Sequence, residues 1–348
     1  MPEINEWAFA FEFRKEWVME RAKEIDQRKV TTETLGLASI DDYEDDVFYV
    51  WGHVDRARSL LDIWSRVVEH TSRLAEGLRR DLYNRVQLEL AGVAVWVMTF
   101  TGQARRAALR EGADHLIRVQ SPLSEIIWFK YPGICPLCEK EKCVCLADLK
   151  TVEARHEKPD QAEIEKENKN RRQRVRTVAK QKLGAKVSSL DGLENMFEGI
   201  YTSNILAWPI EGIAFHLFEE IGEVTMAITR MYTYSEDEPN SAEYHERLLE
   251  LENEIADVLS WLFSLSVKLK MVFTSFDSYV KDQYTGIQLR IAPDIRLSSA
   301  ILHKYCDTTE GGKLFCKTHC KKQPICTCPI RVFTGTEQAS QLAQKLKL

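Results

Sequence analysis

A chain of 348 residues, 44% hydrophobic and 29% charged, is long enough for two ordinary domains with their own cores. Lys+Arg 47 against Asp+Glu 53 gives a formal charge of -6, which argues against a protein that coats nucleic acid through a basic face. No stretch approaches the roughly 18 apolar residues of a membrane span, and the opening MPEINEWAFAFEFRKEW is too charged for a signal peptide, so a cytoplasmic location is expected.

Glycine and proline are sparse and strand-like alternation is scarce, so the expected fold class is all-α. In chain order, helices are predicted over 46–74 and 79–100, joined by a short turn. The run LSEIIWFKY (123–131) then leads into Cys135-x2-Cys138-x4-Cys143-x-Cys145. Residues 151–180 are almost wholly polar, which predicts a linker or solvated helix open to proteolysis. A helix over 212–230 carries Ile213, Leu217, Ile221, Val224 and Ile228 at helical spacing; another over 246–271 carries Leu248, Leu251, Ile255, Val258, Leu262 and Leu265. The loop 233–242 separates them. After LSSAILHKY (297–305) comes Cys316-x3-Cys320-x5-Cys326-x-Cys328, and residues 331–348 read as a tail.

The order of these elements repeats. Glu89-Leu-Ala-Gly-Val-Ala-Val-Trp96 lies over Glu254-Ile-Ala-Asp-Val-Leu-Ser-Trp261, LSEIIWFKY lies over LSSAILHKY, and each copy runs into a cluster ending Cys-x-Cys. Three landmarks in one order predict a duplication into 1–150 and 181–330, joined by the charged linker 151–180 and packed as helical bundles in a pseudo-dimer or larger homo-oligomer.

Eight of nine cysteines fall in the two clusters, with Cys306 alone. Four thiolates within a short loop suit tetrahedral zinc, so two structural zinc sites are expected, at Cys135, Cys138, Cys143 and Cys145 and at Cys316, Cys320, Cys326 and Cys328. His319 is an alternative ligand to Cys320, and iron–sulfur ligation is the competing chemistry.

Glu220 and Glu223 are three apart on one predicted helix, and Glu254 and Asp257 three apart on the next, so each pair shares a face. Solvated glutamate pairs are common on helices, but these border the apolar stripes, where uncompensated like charges repel. An oxygen-rich set of this kind suits Mg²⁺.

Phe218-Glu219-Glu220-Ile-Gly-Glu223-Val, followed by Glu254-Ile-Ala-Asp257-Val-Leu, resembles the EExGE…ExxDV signature of MazG-like all-α nucleoside triphosphate pyrophosphatases. The resemblance is close over 210–270. It implies that Glu220, Glu223, Glu254 and Asp257 hold one or more Mg²⁺ ions, that Glu219 ligates or orients water, and that a (d)NTP is hydrolysed to monophosphate and pyrophosphate. His216 stands where a lysine is common in the family, and is expected at the substrate. Lys304 and Tyr305, like Lys130 and Tyr131, precede a cysteine cluster; they are expected to reach phosphate and base, or to pack under the zinc loops. With a shift of 165 carried through the first half, Glu220 falls on Asp55, Glu223 on Arg58, Glu254 on Glu89 and Asp257 on Gly92, which predicts an inactive copy. The competing expectations are a zinc-stabilised nucleotide sensor or adaptor without turnover, and a nucleic-acid module, which the acidic balance disfavours.

Overall fold

A computed structural model describes residues 38–55, 58–106, 117–145, 161–233 and 241–283, with 296–298, 300–301, 306–307 and 313–314. It is all-α. Eight helices are described: α1 Ile40–Asp55, α2 Leu60–Arg79, α3 Tyr83–Arg105, α4 Leu123–Lys130, α5 Gln161–Gln181, α6 Leu190–Ala207, α7 Ile210–Thr233 and α8 Ala242–Gln283. A two-residue antiparallel pair, Cys306–Asp307 with Lys313–Leu314, accompanies them. No helix among the described residues is long and apolar enough to cross a membrane.

Local chemistry sets the helix limits. The single helix expected over 46–74 is two helices, because Ser59 takes an extended backbone (φ -66, ψ 156) and its hydroxyl caps the amide of Asp62 at 3.0 Å. Asp81 (φ 54) ends the next helix in the left-handed region, and the Leu82 amide returns to the Gly77 carbonyl at 2.8 Å, so α2 and α3 fold into a tight antiparallel hairpin. Helices α7 and α8 pack together as a second hairpin. The charged segment is helical from residue 161 and packs on α4: Val175 and Ala179 are buried, and the Trp128 indole donates to the Ala179 carbonyl at 3.0 Å.

One apolar core runs through both hairpins, from Ile40 to Ile301. The hairpins touch through α2 and α7, where the Trp64 indole donates to the Thr225 hydroxyl at 2.9 Å, and through α3 and α8. Their burial patterns coincide. At a shift of 150, Leu60, Ile63, Trp64, Val67, Thr71, Leu74 and Leu78 lie over Ile210, Ile213, Ala214, Leu217, Ile221, Val224 and Ile228, and every one is buried. The same shift lays Ile40, Asp41, Glu44 and Val47 over Leu190, Asp191, Glu194 and Phe197. Ser39 and Ser189, which correspond under it, form an antiparallel bridge with each other. Glu44 and Glu194 are both buried, and desolvation pushes each carboxyl up to about 7.

Candidate metal centres

Pairing α7 with α8 brings Glu220, Glu223 and Glu254 together, with one carboxylate oxygen from each within 4.8 Å of the others. Glu220 and Glu254 are largely out of solvent, while Glu223 sits at the open edge. Burial, reinforced by the charges of Asp257 and Glu223, pushes the Glu220 carboxyl up to about 8. Burial likewise lifts Glu254 to about 7, against the attraction of Lys130. Three carboxylates in this space repel one another, and a hard divalent cation is the species that relieves the repulsion while accepting oxygen ligands. The donor set fits Mg²⁺.

Asp257 is placed differently. One of its oxygens accepts from the Lys130 ammonium and the other from the Tyr131 hydroxyl, while Lys130 Nζ also reaches the Asn253 carbonyl at 3.1 Å. Both donors come from the end of α4, in the other half of the chain. Glu219 stands apart from the cluster, its side chain 62% exposed and facing His216 Nδ1 at 3.1 Å. His216 packs against two tryptophans, its ring centroid 4.5 Å from those of both Trp208 and Trp261, which lie 6.1 Å from each other. It lies one turn before Glu220 on α7, and Trp261 one turn after Asp257 on α8, so the aromatic cluster sits one turn along the helix faces that carry the carboxylates. Lys304 and Tyr305 lie outside the described residues.

The corresponding place in the first hairpin needs a new register. The residue that faces Glu89 is His70, with Nδ1 2.5 Å from the carboxylate. By the burial match, His70 stands over Glu220 and Arg73 over Glu223, whereas Asp55 and Arg58 pair with each other near the end of α1 at 2.9 Å. The shift of 165 holds for α3 and α8 but not across the hairpin connection, which is longer between α7 and α8; loops absorb length changes that packed helices do not. Glu69 bridges Arg66 (2.9 Å) and Arg73, and the Arg66 hydrogen bond holds its carboxyl below the usual range. Arg58 lies over the Trp96 ring at 5.6 Å, in the position that Trp208 takes by Trp261.

Cys135, Cys138, Cys143 and Cys145 converge, one Sγ from each within 4.8 Å of the rest, and can hold a metal ion such as zinc. Gly133 (φ 73) and Glu139 (φ 58) supply the left-handed turns of the loop, and the Cys135 amide closes it on the Lys140 carbonyl at 2.9 Å. Burial pushes the Cys135 thiol up to about 11, so bound metal has to displace protons here. The loop docks on the second half, where the Cys143 amide donates to the Ile200 carbonyl at 2.7 Å. It also docks on the charged helix, where Arg174 forks onto Glu139 at 2.7 to 3.1 Å. The second cluster, Cys316, Cys320, Cys326 and Cys328, lies outside the described residues.

Sequence reasoning missed Trp208, the role of His70 and the engagement of Lys130 and Tyr131 with Asp257. Lys-Tyr before each cluster and Trp after each ExxD or its counterpart were the available signals. Comparison with protein-family models, curated proteins and solved structures found no match.

Proposed function

We propose that the second hairpin is the catalytic centre of a divalent-cation-dependent nucleotide pyrophosphohydrolase. The observation that carries this reading is the convergence of Glu220, Glu223 and Glu254 beside a core, where ionised carboxylates repel one another and a bound cation would relieve the repulsion. Bound Mg²⁺ supplies charge neutralisation of the phosphates and acidifies water. Glu220, Glu223 and Glu254 would hold that ion, and Lys130 holds Asp257 beside them. Hydrolysis breaks one phosphoanhydride bond: water adds to the α-phosphorus and pyrophosphate departs. The Trp208–His216–Trp261 stack offers an aromatic surface one turn away, which suits a base.

The chain is on this reading a tandem duplication, a covalent pseudo-dimer with the first hairpin as scaffold. The matched burial patterns and the Ser39–Ser189 bridge support it. The Cys135–Cys145 loop is its structural zinc knuckle.

The test is incubation with a panel of (d)NTPs and Mg²⁺. Release of monophosphate and pyrophosphate, lost in Glu223→Gln, is expected. Binding without turnover of any nucleotide would favour the sensor and overturn the enzyme.

A further inference from the structure

We propose that Lys130 and Tyr131 are positioning residues of the carboxylate site, and that the thiolate knuckle just after them is the anchor that keeps them on Asp257. This rests on the reading of Glu220, Glu223 and Glu254 as a cation site.

The chain path makes the connection short. Lys130 ends α4, Tyr131 follows, and after the turn at Gly133 the first thiol is Cys135. Tyr131 is buried, edge-on to Phe197 with ring centroids 5.2 Å apart, and near Tyr201 at 6.4 Å. The knuckle rests on the same helix: Cys135, Cys143 and Ile200 form a small core against which Tyr201 packs. The Asn204 amide group lies 3.5 Å from Cys143 Sγ. One face of α6 therefore carries the knuckle and Tyr131 together. No disulfide joins the four thiols, so without metal the loop keeps its hydrogen bonds to Lys140, Ile200 and Arg174 but has no bond between its sulfurs.

The chemistry sets the direction of the effect. With Lys130 and Tyr131 in place, the ammonium partly offsets the charge that Asp257 adds to Glu220, Glu223 and Glu254. Withdrawing the ammonium leaves a more negative cluster, which holds a divalent cation more tightly. A knuckle emptied of zinc releases the Lys130–Tyr131 segment and has the same consequence. A merely structural role predicts the reverse, since a loosened site binds metal more weakly.

The experiment uses the full chain with Mn²⁺ as probe, free Mn²⁺ read by electron paramagnetic resonance and zinc content by metal mass spectrometry. Lys130→Met is expected to tighten Mn²⁺ binding about tenfold, the effect of one nearby charge. Lys130→Arg should restore the wild-type affinity. Tyr131→Phe, which keeps the ring but not the donor, should tighten it about two- to threefold, the worth of one hydrogen bond. Cys138→Ser, or wild type stripped of zinc by chelation and dialysis should the variant not fold, should match Lys130→Met, and the combination should add nothing. Additive effects, an unchanged affinity on zinc loss, or weaker binding in Lys130→Met would overturn the coupling. Absence of any Mn²⁺ site sensitive to Glu220→Gln would instead overturn the cation reading itself.

Discussion

The two hairpins bury the same positions and differ where they are polar. Thr71 and Ile221, Leu74 and Val224, Leu78 and Ile228 do equivalent packing work, and Glu89 matches Glu254 beside them. Yet Glu220, Glu223, Trp208 and His216 are answered by His70, Arg73, Arg58 and Arg66. The first hairpin gives Glu89 an internal partner, His70, while the second gathers carboxylates whose repulsion a bound cation would relieve. The difference teaches that packing and chemistry are separable layers of one helical pattern. The apolar stripe sets how the helices meet, and a handful of residues at its border decide whether the meeting place needs an ion.

Breaking the second hairpin should have the largest effect. Glu220→Gln or Glu223→Gln is expected to lower kcat about a thousandfold, the worth of a metal's several kcal/mol on the transition state, while His70→Gln leaves turnover within about twofold. Steady-state pyrophosphate release measures both, and equal losses would erase the distinction between the hairpins.

Sharpening it, the triple change His70→Glu, Arg73→Glu and Gly92→Asp should create a second cation site, raising Mn²⁺ stoichiometry by one ion per chain. An unchanged stoichiometry would reject the register in which His70 matches Glu220.

The hairpins should also separate by pH. Glu220 and Glu254 have carboxyls raised from 4.5 to about 8 and about 7, so the folded state holds protons there that the unfolded chain has released. Their contribution to stability is full below about pH 4.5 and is lost as pH rises through about 7 to 8. Cation-free protein should melt a few degrees lower at pH 8 than at pH 5, and Mg²⁺ should recover much of that loss. Glu44 and Glu194, raised to about 7 by burial and lying outside the Glu220–Glu223–Glu254 cluster, should add a slope in the same direction that Mg²⁺ leaves untouched. A melting difference with and without Mg²⁺ that stays flat with pH would contradict this account. The smallest effect belongs to the contact between the hairpins. Thr225→Val removes the acceptor of the Trp64 indole and should cost about 1 kcal/mol in denaturant unfolding, without changing kcat.

Much of this was legible in the chain. Helical periodicity marked α7 and α8, the ExxE and ExxD spacing put Glu220, Glu223 and Glu254 on facing stripes, and the cysteine spacing marked the knuckle. The break at Ser59 was missed because capping is a single-residue event inside an apolar run that continues on both sides. The Ser39-Ile-Asp41 and Ser189-Leu-Asp191 correspondence was likewise present in the residues, but too short to stand out before the two serines were seen paired.

Sequence by itself determined the helices, the carboxylate pairs and the clustered thiols, because these depend on spacings of a few residues that helical and loop geometry translate directly into shared faces. Only the tertiary structure decided which residues meet across the chain. It set His70 against Glu89, Lys130 and Tyr131 of one half on Asp257 of the other, and His216 against two tryptophans. Such meetings depend on how whole helices dock and on connections whose lengths differ between the halves, and no local spacing encodes either. The carboxylates of α7 and α8 thus came from the pattern of one half, while the cation that rests on Asp257 came from the packing of both.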